Sequence, residues 1–357
     1  MNNKLFMNKI NILVTGGGSP GIIGTIYSLK NNYDQRDIQI VCTDAKSDCV
    51  GKYVADKFYQ IKKANDIQDY LSDIFSIVIS EKIDVILPQN TSELSVLSQN
   101  KSKLLDMGCK VIISSYNNLI RANSKFELLE VCKELEIPYP DYYLIKNKDD
   151  LIAKATKLGW PDNTVLIKHP SLNGSRGIRI IDENINYKDL FYNQKPTNMY
   201  TKLDDFLKII GDNFDPLLVM EYLSGEEVSI DVFRDSENFI SIPRLRNEIR
   251  SGISFKNSAV KRSDLIGFSK KLSDYLDLEF CFGFQFKYDK NGIPKILECN
   301  PRVQGTMIFS TIMGANIIYS SIKSCLGEKI PQFSLDWNTR LLRYWGAVGM
   351  NDKVTKI

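Results

Sequence analysis

Glu298 and Asn300 stand two positions apart in the run ILECNPRVQGT, residues 296–306, with Pro301 and Arg302 directly after them. On a strand, alternation puts Glu298 and Asn300 on one face. Carboxylate and amide oxygens there are hard ligands suited to Mg²⁺, and Arg302 adds a fixed cation for an anionic group. The preceding strand, FGFQFKY, holds Gln285, and Asn291-Gly292 lies between the two. Both of those residues tolerate positive φ, so the pair reads as a two-residue hairpin loop. That loop sets Gln285 opposite Glu298 and Gly283 opposite Asn300, so three oxygen-bearing side chains converge. The plainer alternative pairs Glu298 with a lysine and lets Asn300 cap the next helix.

Further chemistry lies upstream. KHPSLNGSRG, residues 168–177, sets Lys168 before a loop whose Gly174, Ser175 and Gly177 allow backbone N–H groups to cradle a polyphosphate. MEYLSGEEVSIDV supplies Glu221 at a strand end, then Tyr222 and Leu223, with Glu227 six residues on from Glu221. Lys125 lies in a helical stretch, and IPRLRNEIRSGISFK carries Arg244 and Arg246. Each motif alone also fits an ordinary loop or a solvated bend. His169 is the single histidine, which excludes histidine metal clusters and Ser-His-Asp triads. Cys299 points away from Glu298 and Asn300 and reads as core filling.

The elements that must position these residues fall into two patterns. INILVT (10–15), IQIVCTDA (to 45), IDVILPQ (83–89) and CKVIIS (109–114) alternate with helical segments, which predicts a parallel sheet. NSKFELLEVCKELEIP predicts an amphipathic helix capped at Asn123 and ending before Pro138. From there strands come in pairs: TVLIKHP with GIRIID, PLLVMEYL running on to EEVSIDVFRD, and the hairpin at Asn291-Gly292. Antiparallel pairing replaces parallel crossover. GGGSPG after the first strand, Gly16-x-Gly18-x-x-Gly21, with Asp44 ending the second, also matches the fingerprint of an NAD(P)-dependent oxidoreductase.

The bulk numbers narrow the class. With 357 residues, 43% hydrophobic and 25% charged, the chain can build two or three domains. The net charge of +3 is spread along the length and offers no basic stripe, so neither nucleic acid nor a membrane surface is the expected partner. Seven cysteines include no CxxC pair, which argues against a zinc cluster or a disulfide framework and fits a reducing cytoplasm. No stretch has the length of a membrane span.

Taken in order, Lys125, Lys168 with its glycine-rich loop, Glu221 to Glu227, Gln285 and Glu298-x-Asn300-Pro301-Arg302 resemble the ATP-grasp superfamily. The likeness covers roughly residues 10–325 and points to the synthetase halves of the carbamoyl-phosphate synthase large subunit and to stand-alone carboxylate–amine ligases. It implies an N-terminal Rossmann-like, pre-ATP-grasp domain (1–120) with a parallel sheet. An ATP-grasp fold with two antiparallel-sheet subdomains would follow (121–185 and 186–330), then a C-terminal extension (331–357). It implies ATP and one or two Mg²⁺ ions, with Mn²⁺ as an alternative. Lys125, Lys168 and the loop 173–177 would hold phosphates, the backbone at Glu221, Tyr222 and Leu223 would meet adenine, and Glu227 the ribose. Gln285, Glu298 and Asn300 would be metal ligands. Arg302 would stabilise the transferring phosphoryl group, and Arg244 and Arg246 would face phosphates or acceptor. Small-molecule carboxylate and amine substrates and a homodimer are implied, as is release of ADP and phosphate through an acyl phosphate. Gln285 departs from the acid that many such ligases carry, though carbamoyl-phosphate synthase halves share it. A carboxylate kinase and a non-catalytic nucleotide-binding protein are the other readings.

Overall fold

The computed structural model describes residues 8–172, 176–193, 199–350 and 354–356, so Gly174 and Ser175 lie outside the described residues. β1 (Ile10–Val14), β2 (Ile38–Asp44), β3 (Lys57–Gln60), β4 (Val85–Leu87) and β5 (Lys110–Val111) form a parallel sheet in the order β3-β2-β1-β4-β5. Alternation sends Ile10, Ile12 and Val14 into one apolar cluster and Leu13 into another. Helix Ile22–Lys30 covers the first face with Ile22, Ile26 and Leu29, and helix Ile67–Ser80 covers the second with Tyr70, Ile74, Ile77 and Val78. A sheet buried on both faces needs continuous apolar strands, which is why β1 and β2 were readable. β3, KFYQ, has exposed ends and no apolar run, and it was not foreseen.

The strand order reverses between β1 and β4, so the loops at residues 15–21 and 88–91 flank the crevice at this switch point. The glycines of the first loop answer to packing. Gly17 N donates to Thr43 O at 2.8 Å, and a Cβ on Gly21 would stand 3.0 Å from Gly305 Cα. Asp44, the acid that a dinucleotide reading reserves for a ribose, instead accepts from Gly18 N at 2.7 Å and Lys46 N at 2.8 Å.

A second sheet contains β6 (Tyr142–Asn147), β7 (Val165–Lys168), β8 (Ile178–Ile181), β9 (Tyr200–Thr201) and β10 (Asn213–Glu221), in the order β6-β10-β7-β8-β9. Its pairs are antiparallel except β8 with β9. Ile145, Val165, Ile167 and Val219 pack with Leu151 and Phe206 from helices Lys148–Lys157 and Leu203–Ile210. Ahead of this sheet, Ser124 caps helix Lys125–Glu134, its Oγ accepting from Glu127 N at 3.3 Å; the cap expected at Asn123 belongs instead to the end of helix Tyr116–Asn123.

The third sheet has β11 (Glu227–Arg234), β12 (Phe239–Arg250), β13 (Ile253–Ala259), β14 (Phe280–Tyr288), β15 (Pro294–Asn300) and β16 (Arg340–Leu342), in the order β15-β14-β11-β12-β13-β16. β10 and β11 therefore belong to different sheets. Ser251 and Gly252 both have positive φ and join β12 to β13 in a tight turn. Phe233 and Ile242 of this sheet share the first apolar cluster with Ile12 and Val14.

Compactness groups the chain into two units. One comprises Met1–Asn123, Val228–Gln285 and Cys299–Ile357, the other Ser124–Glu227 and Phe286–Glu298. Among the described residues no helix is long and apolar enough to cross a membrane.

Gly21→Ala is expected to destabilise the fold by about 1–3 kcal/mol, because backbone at Gly305 must yield to the new methyl group. Chemical denaturation reads this directly, and an unchanged midpoint would contradict the packing account.

Candidate active site

In the second unit, two lysines are almost fully buried: Lys125 is 5% and Lys168 7% exposed. Lys125 opens its helix behind the Ser124 cap, and its Nζ donates to Leu172 O at 2.7 Å, holding the start of the glycine-rich loop. Lys168 ends β7, and its Nζ donates to Leu297 O at 3.3 Å. Burial, then repulsion from Lys168, lower the Lys125 pKa to about 8, with Glu298 acting in the opposite sense. Burial also lowers the Lys168 pKa, opposed by Glu298 and Glu227. Four residues singled out from the sequence thus form one electrostatic group.

Gly177 closes the hairpin between β7 and β8. Its φ is +65°, its carbonyl accepts from His169 N at 2.8 Å, and a Cβ there would stand 2.8 Å from His169 Cβ. His169 Nδ1 in turn faces Ser171 N at 3.2 Å, a local loop contact. Glu221 pairs with Lys295 at 2.6 Å and also accepts from Asp141 N at 3.2 Å. Burial raises the Tyr222 pKa, and Lys287 lies 5.4 Å from its ring centroid; Leu223 is buried.

The turn before Glu298 differs from the expectation. Asp289 N donates to Ile293 O at 3.0 Å and Gly292 N to Asp289 O at 3.1 Å, with Gly292 at φ +76°. The loop therefore holds three residues, Lys290 to Gly292, closed by Asp289 and Ile293, a type I turn followed by a glycine bulge. Counting from that closing pair shifts the register by one. Along β15, Ile296 and Cys299 are buried, while Leu297 and Glu298 between them are half-buried.

In the first unit, the β12–β13 turn brings Arg244, Arg246, Ser254 and Asn257 together. Arg244, 2% exposed, donates to Asp231 at 3.0 and 3.3 Å, Asn257 Oδ1 at 2.8 Å, Gln304 Oε1 at 3.1 Å and Ser254 Oγ at 3.5 Å. All five guanidinium N–H groups are engaged. Arg244 was expected to face phosphates or acceptor; the structure instead makes it a buried clamp, because Asp231 neutralises it. Burial raises the Asp231 pKa and Arg244 opposes the rise. Arg246 donates to Ser254 Oγ at 2.6 Å, Gly252 O at 2.6 Å and Gln285 Oε1 at 3.3 Å. Arg302 donates to Thr91 Oγ1 at 2.9 Å and Asn300 Oδ1 at 3.3 Å.

Asp231, Ser254, Asn257, Gln304 and Thr91 were not foreseen. The Ser251-Gly252 pair could have signalled the hairpin that aligns Arg246 with Asn257. Among the described residues no group of three or more His, Cys, Asp or Glu could hold a metal ion. Carboxylate and amide oxygens are hard donors of the kind Mg²⁺ takes, and Glu298 in the second unit and Asn300 and Gln285 in the first carry such groups.

Residues 213–342 match the family model described as ATP-grasp in the biosynthetic pathway with Ter operon, and residues 12–112 match the PylC-like N-terminal domain. The carbamoyl phosphate synthase large chain of Clostridium acetobutylicum is 21% identical over 275 residues, 74% of this chain. The chain spans 24% of that relative's length. N5-carboxyaminoimidazole synthetase from Staphylococcus aureus, solved with ADP, superposes with a TM-score of 0.66 at 22% identity, over 94% of this chain and 82% of that one. Biotin carboxylase from Campylobacter jejuni, solved with a β,γ-ATP complex, gives 0.68 at 19% identity, over 91% and 73%.

Two predictions follow from the buried charges. The Lys125 contribution to stability of the nucleotide-free protein rises between about pH 8 and 10.5, since the unfolded chain holds the proton longer; Lys125→Met should remove a rise of roughly 2–3 kcal/mol. Denaturation midpoints of both proteins across that window measure it, and parallel curves would contradict it. Asp231→Asn should destabilise by about 3–5 kcal/mol by leaving Arg244 buried and uncompensated. A loss under about 1 kcal/mol would contradict the clamp assignment. Residues 213–342 thus match an ATP-grasp family and residues 12–112 a PylC-like N-terminal domain, and the fold is similar to that of N5-carboxyaminoimidazole synthetase.

Proposed function

We propose that the protein is an ATP-dependent carboxylate–amine ligase that forms an amide through an acyl phosphate and releases ADP and phosphate. The observation that carries this reading is the buried Lys125 and Lys168 pair: two ammonium groups close enough to repel, each with a lowered pKa, are what a polyphosphate would relieve. Lys125 and Lys168 hold the phosphates, and the loop 173–177 closes over them. The backbone from Glu221 to Leu223 meets adenine, and Glu227 meets the ribose hydroxyls.

Gln285, Glu298 and Asn300 hold Mg²⁺, which supplies charge neutralisation at the terminal phosphates when bound. Counted from its closing pair, the three-residue turn opposes Gln285 with Leu297 rather than Glu298. Gln in place of an acid at 285 suits its neighbour Arg246, whose cation an acid would bind as an ion pair.

Chemically, a substrate carboxylate oxygen attacks the γ-phosphorus and the bond to the β–γ bridging oxygen breaks, releasing ADP. An amine then attacks the acyl carbon, phosphate leaves and the amine loses a proton. Arg302, held by Thr91 and Asn300, stabilises the charge on the transferring group, and Arg246 supports Gln285. Loop closure excludes water that would hydrolyse the acyl phosphate. The molecules that supply the carboxylate and the amine are small, and seven free cysteines suit a reducing cytoplasm.

A screen of small acids with ATP and hydroxylamine tests the reaction class. ADP, phosphate and a hydroxamate are expected, with Glu298→Gln lowering turnover by about 100-fold or more. AMP and pyrophosphate as products would contradict the reading.

A further inference from the structure

β16 pairs with β13, Lys256 opposite Leu342 and Ser258 opposite Arg340, and Arg343 N donates to Phe255 O at 2.8 Å. That pairing carries the Arg343 guanidinium to the switch-point loop: Nη1 donates to Pro20 O at 3.0 Å and Nη2 donates to Gly305 O. Both acceptors are neutral, and among the described residues no carboxylate pairs with Arg343. Burial and the charge of Arg244 lower its pKa, so two guanidinium groups lie near each other with Asp231 committed to one of them.

Buried donors surround this cation. Arg343 Nε, Gln89 Nε2, Gln304 Nε2 and Asn257 Nδ2 have no hydrogen-bond partner among the described residues, and Gln89, Gln304 and Asn257 are 5%, 5% and 2% exposed. They belong to one neighbourhood. Gln304 precedes Gly305 and meets Asn257 through Arg244, while Gln89 Oε1 and Gly305 Cα lie 3.5 and 3.0 Å from where a Cβ on Gly21 would stand. A Cβ on Gly305 would meet nothing within 4 Å, so the backbone there borders open space.

We propose that Arg343, with Gln89, Gln304 and Asn257, forms a site for a carboxylate that a substrate uses for binding rather than for reaction. Leaving buried donors unmatched is costly, and an acceptor-only group is the kind of ligand that matches them. One uncompensated cation balances one negative charge, which favours a carboxylate over a phosphate dianion. The identity of the bearer as a ligase substrate rests on the proposed function; the anion site does not.

Acetate and inorganic phosphate serve as minimal probes, their binding to the full chain read from ¹H and ³¹P line broadening at constant ionic strength. Saturable acetate binding is expected, weakened about tenfold or more in Arg343→Met and less in Arg343→Lys. Absence of acetate binding, selective phosphate binding, or acetate affinity unchanged in Arg343→Met would overturn the proposal. If Arg343→Met fails to fold, Gln89→Met provides the same comparison. ADP is titrated in parallel: acetate binding without ADP binding supports this site while contradicting the ligase reading, and ADP binding without acetate binding overturns this site alone.

Discussion

The organising constraint is charge confinement around Lys125 and Lys168. A buried ammonium loses its hydration, and a second one nearby adds repulsion. The second unit offers each a main-chain carbonyl, of Leu172 and of Leu297, and sets Glu298 and Glu227 within electrostatic range. These are enough to hold two lysines in place and not enough to leave them at their ordinary basicity. The secondary structure around them serves that placement: the Ser124 cap fixes Lys125 at the head of its helix, β7 ends at Lys168, and Gly177 turns the chain back with a conformation that favours glycine.

The first unit solves a different electrostatic problem. Its large sheet buries Arg244 on a face that also carries Asp231, Ser254 and Asn257, and every donor of the guanidinium finds an acceptor. Such a pair adds little net stability but fixes its neighbours, since breaking it leaves a charge stranded. Arg246 meets Gln285, and Arg302 meets Asn300, through hydrogen bonds of 3.3 Å each on the same unit. Arg343 differs in kind, having neutral partners for its charge.

Much of this was legible in the residues. INILVT and IQIVCTDA are too uniformly apolar to be anything but doubly covered strands, and Asn300 and Arg302 meet in one hydrogen bond. What escaped was governed by local geometry that pairs of letters underdetermine. Asn291-Gly292 fits a two-residue turn and a type I turn with a glycine bulge equally well, and Asp289 decides between them by accepting from Asn291 N and Ile293 N at 2.9 Å each. Asn123 and Ser124 are both good caps, and only tertiary placement chooses. The edge strand Lys57–Gln60 lacks an apolar signature because most of it is not buried. Arg343 sits in the segment read from the sequence only as a C-terminal extension; its position emerges from pairing with β13, a contact of long sequence separation.

Central to this account is that a nucleotide's phosphates complete the charge balance of the two lysines. Calorimetric titration of MgADP at about pH 8.5, in two buffers of different ionisation enthalpy, tests it most directly, because anionic oxygens beside Lys125 must restore its basicity. The account requires net proton uptake on binding in the wild type, and less in Lys125→Met. Binding with no proton uptake, or uptake equal in the two proteins, would contradict it.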